Sequence, residues 1–209
     1  MAKLAIRLKS KPDLPDTLAV VRVQPASLFR VSGHQTGEPY FGKHQGNRFD
    51  DPHLEPTERY GTSYFAESFD VAVAETLLHD RTPEQGYFYV ERAVILSRFL
   101  IEFQGTELVL ADVTGAELRR MGGHAALAGT STLKIPQRWS SSIYHHADKV
   151  DGFRYMSRHI NNEAAYVVFD RAAHKLTMTR ATRLADHPDF GRVAVRLYIT
   201  STRPRPRRL

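Results

Sequence analysis

Short apolar runs separated by polar stretches of very unequal length divide this chain into strands and helices without a repeating unit. "LFRVS" (28–32) reads as a strand, and "TSYFA" (62–66) sets Tyr64 beside Phe65 with the alternation of a second. Between them runs a long polar stretch (33–61) rich in Gly, Pro, His and Asn, a length of loop that is more often functional or mobile than inert. Ser68 is placed to cap a helix beginning at Phe69. Downstream, "RAVILSRFLIEF" (92–103) and "ELVLADV" (107–113) are β-rich, while "GAELRRMG" (115–122) and "PQRWSSSIYHHA" (136–147) read as helices, the latter carrying His145 and His146. Strands return with "GFRYMSR" (152–158), "AAYVVFD" (164–170), "KLTMTR" (175–180) and "VAVRLYIT" (193–200). Strands, then helices, then strands argue for a mixed α+β domain over regular βαβ winding.

One position breaks the pattern. From Phe69 to Leu78 seven of ten residues are apolar, yet Glu75 lies inside the run. At about 100° per residue, Phe69, Val73 and Leu77 share one side, Val71 and Leu78 the opposite side, and Glu75 borders the second group with only Ala72 and Thr76 beyond it. A narrow slot of that kind either faces water or holds a carboxylate partly desolvated, which needs a cationic partner or a more tightly held proton.

Composition narrows the class. A chain of 209 residues suits one core, and 42% hydrophobic with 25% charged residues is ordinary for a soluble protein with no run long enough to span a membrane. There is no cysteine, which excludes a disulfide framework, a thiolate nucleophile and a Cys-bearing zinc site. A cytoplasmic place of action fits, although a protein exported without a cleaved signal would look the same. The net charge of +6 is concentrated at the ends, in Lys3, Arg7, Lys9 and Lys11 and again in Arg203, Arg205, Arg207 and Arg208. Without those eight the balance turns slightly acidic. The expected organisation is therefore a basic, loose segment 1–17, a single domain 18–202 and a basic tail 203–209, with nucleic acid reachable through the tails and not through the body. His34, His44 and His53 share the long loop with Asp50 and Asp51, but no His-Glu-x-x-His or short paired spacing is present, and no metal is expected. No Gly-x-Gly-x-x-Gly or P-loop sequence provides a nucleotide cradle. Trp139 reads as packing.

Several spaced blocks carry more specific information: "FRV" (29–31), "GNRFDD" (46–51), "YGTSYFAESFDVAVAETLLHD" (60–80), "RWSSSIY" (138–144), "DGFRYMSR" (151–158) and "YVVFD" (166–170). In this order they resemble the RES domain, named for its Arg, Glu and Ser positions and known as the toxin of RES-Xre toxin-antitoxin pairs. The resemblance implies an ADP-ribosyltransferase-like α+β fold, with an NAD-binding cleft between small sheets flanked by helices. It implies a toxin that consumes NAD by hydrolysis or phosphorolysis of the nicotinamide-ribose bond, or else an ADP-ribosyltransferase acting on protein. It also implies an antitoxin partner of the helix-turn-helix, Xre-like type. Matched block by block, the family positions fall on Arg30, Arg48, Tyr64, Glu75 and Ser157. Guanidinium forks suit the NAD pyrophosphate, so Arg30 and Arg48 would anchor it. Tyr64 would stack on the cationic nicotinamide ring. Glu75 would stabilise oxocarbenium character on the ribose, and Ser157 would hydrogen-bond near the nicotinamide amide or Glu75 without acting as a nucleophile. Other roles stay open: Arg30 could pair with Glu75, Arg48 with Asp50 or Asp51, Tyr64 could be core, and Ser157 a backbone partner. A rival reading is an inactive binding module that works through its basic arms.

Overall fold

The computed structural model describes residues 7–202. In chain order they form β1 (Val20–Val23), β2 (Arg30–Ser32), β3 (Thr62–Ala66), α1 (Phe69–Leu77), β4 (Phe88–Tyr89), α2 (Arg92–Leu96), β5 (Phe99–Gly105) and β6 (Leu108–Val113). They continue with α3 (Gly115–Arg120), α4 (Ala126–Gly129), α5 (Lys134–Tyr144), β7 (Gly152–Met156), β8 (Ala164–Phe169), β9 (Leu176–Arg183), α6 (Phe190–Arg196) and β10 (Ile199–Thr200).

Strands β1-β6-β7-β8-β3 make a five-stranded sheet, β2-β5-β9 a three-stranded one, and β10-β4 a pair. Within the largest sheet only β6 and β7 run parallel, and the chain between them carries α3, α4 and α5, as a parallel pair requires a crossover. All six residues of β8 are buried because both faces of the strand are covered. Ala165, Val167 and Phe169 enter a core shared with α1 and α5, while Tyr166 and Val168 enter a second core with Ile101 and Phe103 of β5. The same two-residue period sorts β3: Phe65 joins the second core, and Tyr64 and Ala66 point to the helical side. That parity puts Tyr64 on the side where α1 lies.

Helix α1 starts where the sequence places it. Ser68 accepts a hydrogen bond from the Val71 amide at 3.1 Å, a cap worth about 1 kcal/mol. Phe69, Val71, Val73 and Leu77 are buried, so the helix is covered nearly all round. Its buried Asp70 pairs with Arg196 at 3.2 Å and with Arg192 at 3.6 Å. Those arginines explain why 193–200 is not the expected strand. Arg192 and Arg196 stand one turn apart and reach one carboxylate, Val193 between them is buried, and only Ile199 and Thr200 pair as β10. Tertiary contact thus overrides the β preference of the valines. The first half of "RAVILSRFLIEF" departs likewise: Arg92–Leu96 is helical and the strand begins at Phe99. This turn of helix carries the chain from β4 to β5, which belong to different sheets. Helix α5 ends at Tyr144, so His145 and His146 lie past it, and His146 Nε2 faces the Pro15 carbonyl at 2.9 Å.

Over its described part, the segment up to residue 17 and the start of the domain make hydrogen bonds to later parts of the chain. Trp139 Nε1 donates to the Lys9 carbonyl at 2.9 Å, the Asp13 amide to Met121, and the Leu18 amide to Asp148. Residues 1–6 and the basic tail 203–209 lie outside the described residues. Among the described residues no helix is long and apolar enough to cross a membrane.

Candidate active site

The polar stretch 33–61 is held firmly although it has almost no regular structure. Its anchor is Asp50, fully buried, whose Oδ1 accepts from Thr62 Oγ1 at 2.5 Å and from Tyr64 Oη at 3.2 Å, and whose Oδ2 accepts from the Asn47 amide at 2.9 Å. Tyr64 Oη in turn accepts from the Phe49 amide at 3.0 Å, and the Phe49 ring meets Phe153 and Tyr155 edge-on. Gln137 of α5 donates to the carbonyls of Gln45 and Asn47, both at 3.1 Å. Arg48 is fixed by this frame, and its Nη1 donates to the Thr130 carbonyl at 2.6 Å.

Arg30, Arg48, Tyr64 and Glu75 line one cavity of about 420 Å³, together with Tyr155, Arg158 and His79. The strand β2, the long loop, β3, α1 and the end of β7 each bring one or two of these side chains. Glu75, 24% exposed at its side chain, sits on the wall formed by α1. Ser157 stands behind it and donates to Glu75 Oε1 at 2.6 Å. The Ser157 oxygen also accepts from the amides of His159 (3.1 Å) and Ile160 (3.2 Å). With its acceptor positions taken, the hydroxyl serves to hold the carboxylate and is in no position to act as a nucleophile.

The two arginines differ. Arg30 donates from Nε to Glu38 Oε2 at 2.8 Å and from Nη1 to the Tyr64 carbonyl at 2.9 Å. Glu38 is 1% exposed at its side chain and also accepts from Ser32 Oγ and the Tyr40 amide. Arg30 thus has a buried carboxylate partner, and that partner is Glu38, not Glu75. Arg48 pairs with neither Asp50 nor Asp51. Burial, and next the cation of Arg158, push it below the ordinary arginine range, against the pull of Tyr155 and Glu75. Arg158 donates from Nη2 to the His79 carbonyl at 2.6 Å and from Nε to His159 Nε2 at 3.1 Å. Two guanidinium groups thus face one cavity, neither with a carboxylate of the described residues within ion-pair distance, which is the arrangement that an anion completes.

Tyr64 offers its ring to the cavity, since its hydroxyl is spent on Asp50 and Phe49. Burial raises its hydroxyl well above the usual tyrosine range. Burial does the same to Tyr155, with the charge of Glu75 adding to it. Sequence reading passed over Tyr155 and Arg158. The signal for Tyr155 was there, because Phe153 and Tyr155 alternate along β7 and Ser157 follows at the same spacing just past its end. It also passed over a third group: among the described residues, Glu75, His79 and His159 bring one potential ligand atom each to within 4.8 Å of one another. Burial holds His159 below the usual histidine range, opposed by Glu75. The two histidines come from opposite halves of the chain, where no spacing motif could join them.

A RES domain model matches residues 22–191. The chain belongs to the RES domain family. This RES domain is 34% identical over 82 residues to "Probable toxin y4kH" of Sinorhizobium fredii (strain NBRC 101917 / NGR234), an alignment covering 39% of this chain and 64% of that protein. The chain thus spans less than two thirds of that relative. It also superposes on a chain of the crystal structure of the M. tuberculosis MbcT-MbcA toxin-antitoxin complex. The TM-score is 0.57 at 13% identity, over 78% of this chain and 85% of that chain. The likeness is one of fold, and it agrees with the mixed α+β arrangement expected from the sequence.

Proposed function

We propose that this RES domain is the toxin of a toxin-antitoxin pair and acts by consuming NAD. The observation that carries the reading is one cavity in which Glu75 is held by Ser157 at 2.6 Å while Arg48 and Arg158 face it without carboxylate partners among the described residues. A dinucleotide has the matching parts. Its pyrophosphate takes the two guanidinium groups, and its nicotinamide ring lies against the Tyr64 ring, where a cation is drawn to a π face. The ribose then comes to Glu75. Breaking the glycosidic C–N bond sends its electron pair to nicotinamide, which leaves neutral, and the ribose carbon takes on oxocarbenium character next to the carboxylate. An acceptor oxygen, from water or phosphate, closes on that carbon, and the proton of a water acceptor passes to solvent. A protein acceptor would make the same centre an ADP-ribosyltransferase. Arg30 keeps the wall in shape from its pair with Glu38.

The antitoxin follows from the same reading, since a cell holding this activity free would lose its NAD. A helix-turn-helix antitoxin of the Xre-like type is the partner that the family suggests, and the fold neighbour is itself part of a toxin-antitoxin complex. The test is to incubate the purified protein with NAD, with and without phosphate and cell extract, and to identify products by mass. ADP-ribose, ADP-ribose-1″-phosphate or modified protein supports the reading and names the acceptor. Intact NAD in all three mixtures rejects it.

A further inference from the structure

We propose that Glu75, His79 and His159 form a binding site for a divalent cation of the zinc class, and that the bound ion inhibits the domain by occupying Glu75. Their ligand atoms all lie within 4.8 Å of one another. Glu75 Oε2 is 3.9 Å from His159 Nε2, and the two imidazole rings are 6.2 Å apart. Ligand atoms around tetrahedral zinc stand roughly 3.3 Å apart, so side-chain rotations of about 1 Å close the set without moving an element. Two imidazoles and a carboxylate are a zinc donor set with a fourth position left open, whereas magnesium and calcium prefer oxygen alone. Ser157 already orients the carboxylate through its other oxygen, as outer partners of ligating carboxylates do. The His79 side chain is 52% exposed, which gives an ion a way in from solvent.

Arg158 sets the condition. Its Nε donates to His159 Nε2, the lone pair an ion would take. Guanidinium and cation are alternatives at that nitrogen. With Arg158 in place, Glu75 is left to the cavity; with the ion in place, the carboxylate is neutralised and Arg158 loses its contact with His159. The inhibitory half of the proposal rests on the NAD-consuming reading, and the binding half does not.

The experiment is calorimetric titration of the full chain with zinc chloride, for the unaltered protein, His79→Ala and Arg158→Gln, beside NAD cleavage with and without zinc. The expected result is one-to-one binding that weakens more than about tenfold in His79→Ala and tightens in Arg158→Gln. NAD cleavage by the unaltered protein should fall as zinc rises, while cleavage by His79→Ala, measured relative to its own zinc-free rate, should resist zinc. Zinc affinity unchanged in His79→Ala would place the ion at other histidines and overturn the site. Weaker binding in Arg158→Gln would overturn the competition, and bound zinc with undiminished cleavage would overturn the inhibitory role. Failure of the unaltered protein to cleave NAD without zinc would instead reject the functional reading, with the calorimetry still deciding the site.

Discussion

Ser157 and Glu75 meet across the cavity wall in one direction only: the serine hydroxyl donates to the carboxylate at 2.6 Å while its oxygen accepts the amides of His159 and Ile160. Ser157→Ala removes both functions. The freed carboxylate should lower the rate of NAD cleavage about tenfold or more, and loss of the turn's cap should lower stability by about 1–2 kcal/mol. Comparing kcat with a denaturation curve separates the two effects. An unaltered kcat would mean that Glu75 needs no such hold.

Glu75→Gln keeps size and hydrogen-bonding reach and removes the charge. The fold should stand, since Ser157 Oγ can still donate to the amide oxygen, and cleavage should drop by about 10²–10³ in kcat with a much smaller change in KM. Near-normal turnover in this variant would take Glu75 out of the mechanism.

Arg30 and Arg48 should separate in the laboratory as they do in the structure. Arg30→Ala leaves Glu38 buried with its charge uncompensated, which costs about 3–5 kcal/mol. Arg30→Met with Glu38→Gln should recover most of that loss. Arg48→Ala loses a single backbone contact and should fold nearly normally while raising the KM for NAD about tenfold or more. The pair of melting curves and the two KM values decide the matter. If Arg30→Ala is stable and only binds poorly, Arg30 is a ligand contact and not a strut.

Much of this was legible in the sequence because it depends on local chemistry. The Ser68 cap, the apolar run that follows it and the period-two sorting of β3 and β8 need only neighbours along the chain. The blocks around Arg30, Arg48, Tyr64, Glu75 and Ser157 placed four residues on one cavity and the fifth behind it. What escaped depends on partners distant in sequence. Valine-rich 193–200 looks like a strand until Arg192 and Arg196 are seen to share Asp70. The pairing of Arg30 with Glu38 rests on how the loop between them folds back, which no local pattern gives. Arg158, beside Ser157, was one residue away from notice, but its role comes from the cavity it faces and from its contact with the His79 carbonyl.

Four tyrosines with buried hydroxyls give the protein a predictable limit at alkaline pH. Burial raises Tyr60, Tyr64, Tyr155 and Tyr166 above the ordinary tyrosine value near 10, and Tyr60 also donates to Ser140 Oγ at 2.9 Å. Each folded-state pKa is above the unfolded one, so the stability involved is fully present below about pH 10. Above that, unfolded tyrosines give up protons that the folded ones keep, so the unfolded state binds fewer protons and stability falls as pH rises. The slope is up to about 1.4 kcal/mol per pH unit for each such tyrosine. Denaturant unfolding between about pH 8 and pH 11.5 should be level at first and then decline steeply. Tyr60→Phe removes one contributor: it should lose about 1 kcal/mol at neutral pH with its hydrogen bond, and then decline less steeply than the unaltered protein. Parallel curves for the two proteins through the alkaline range would show that Tyr60 does not titrate differently on folding.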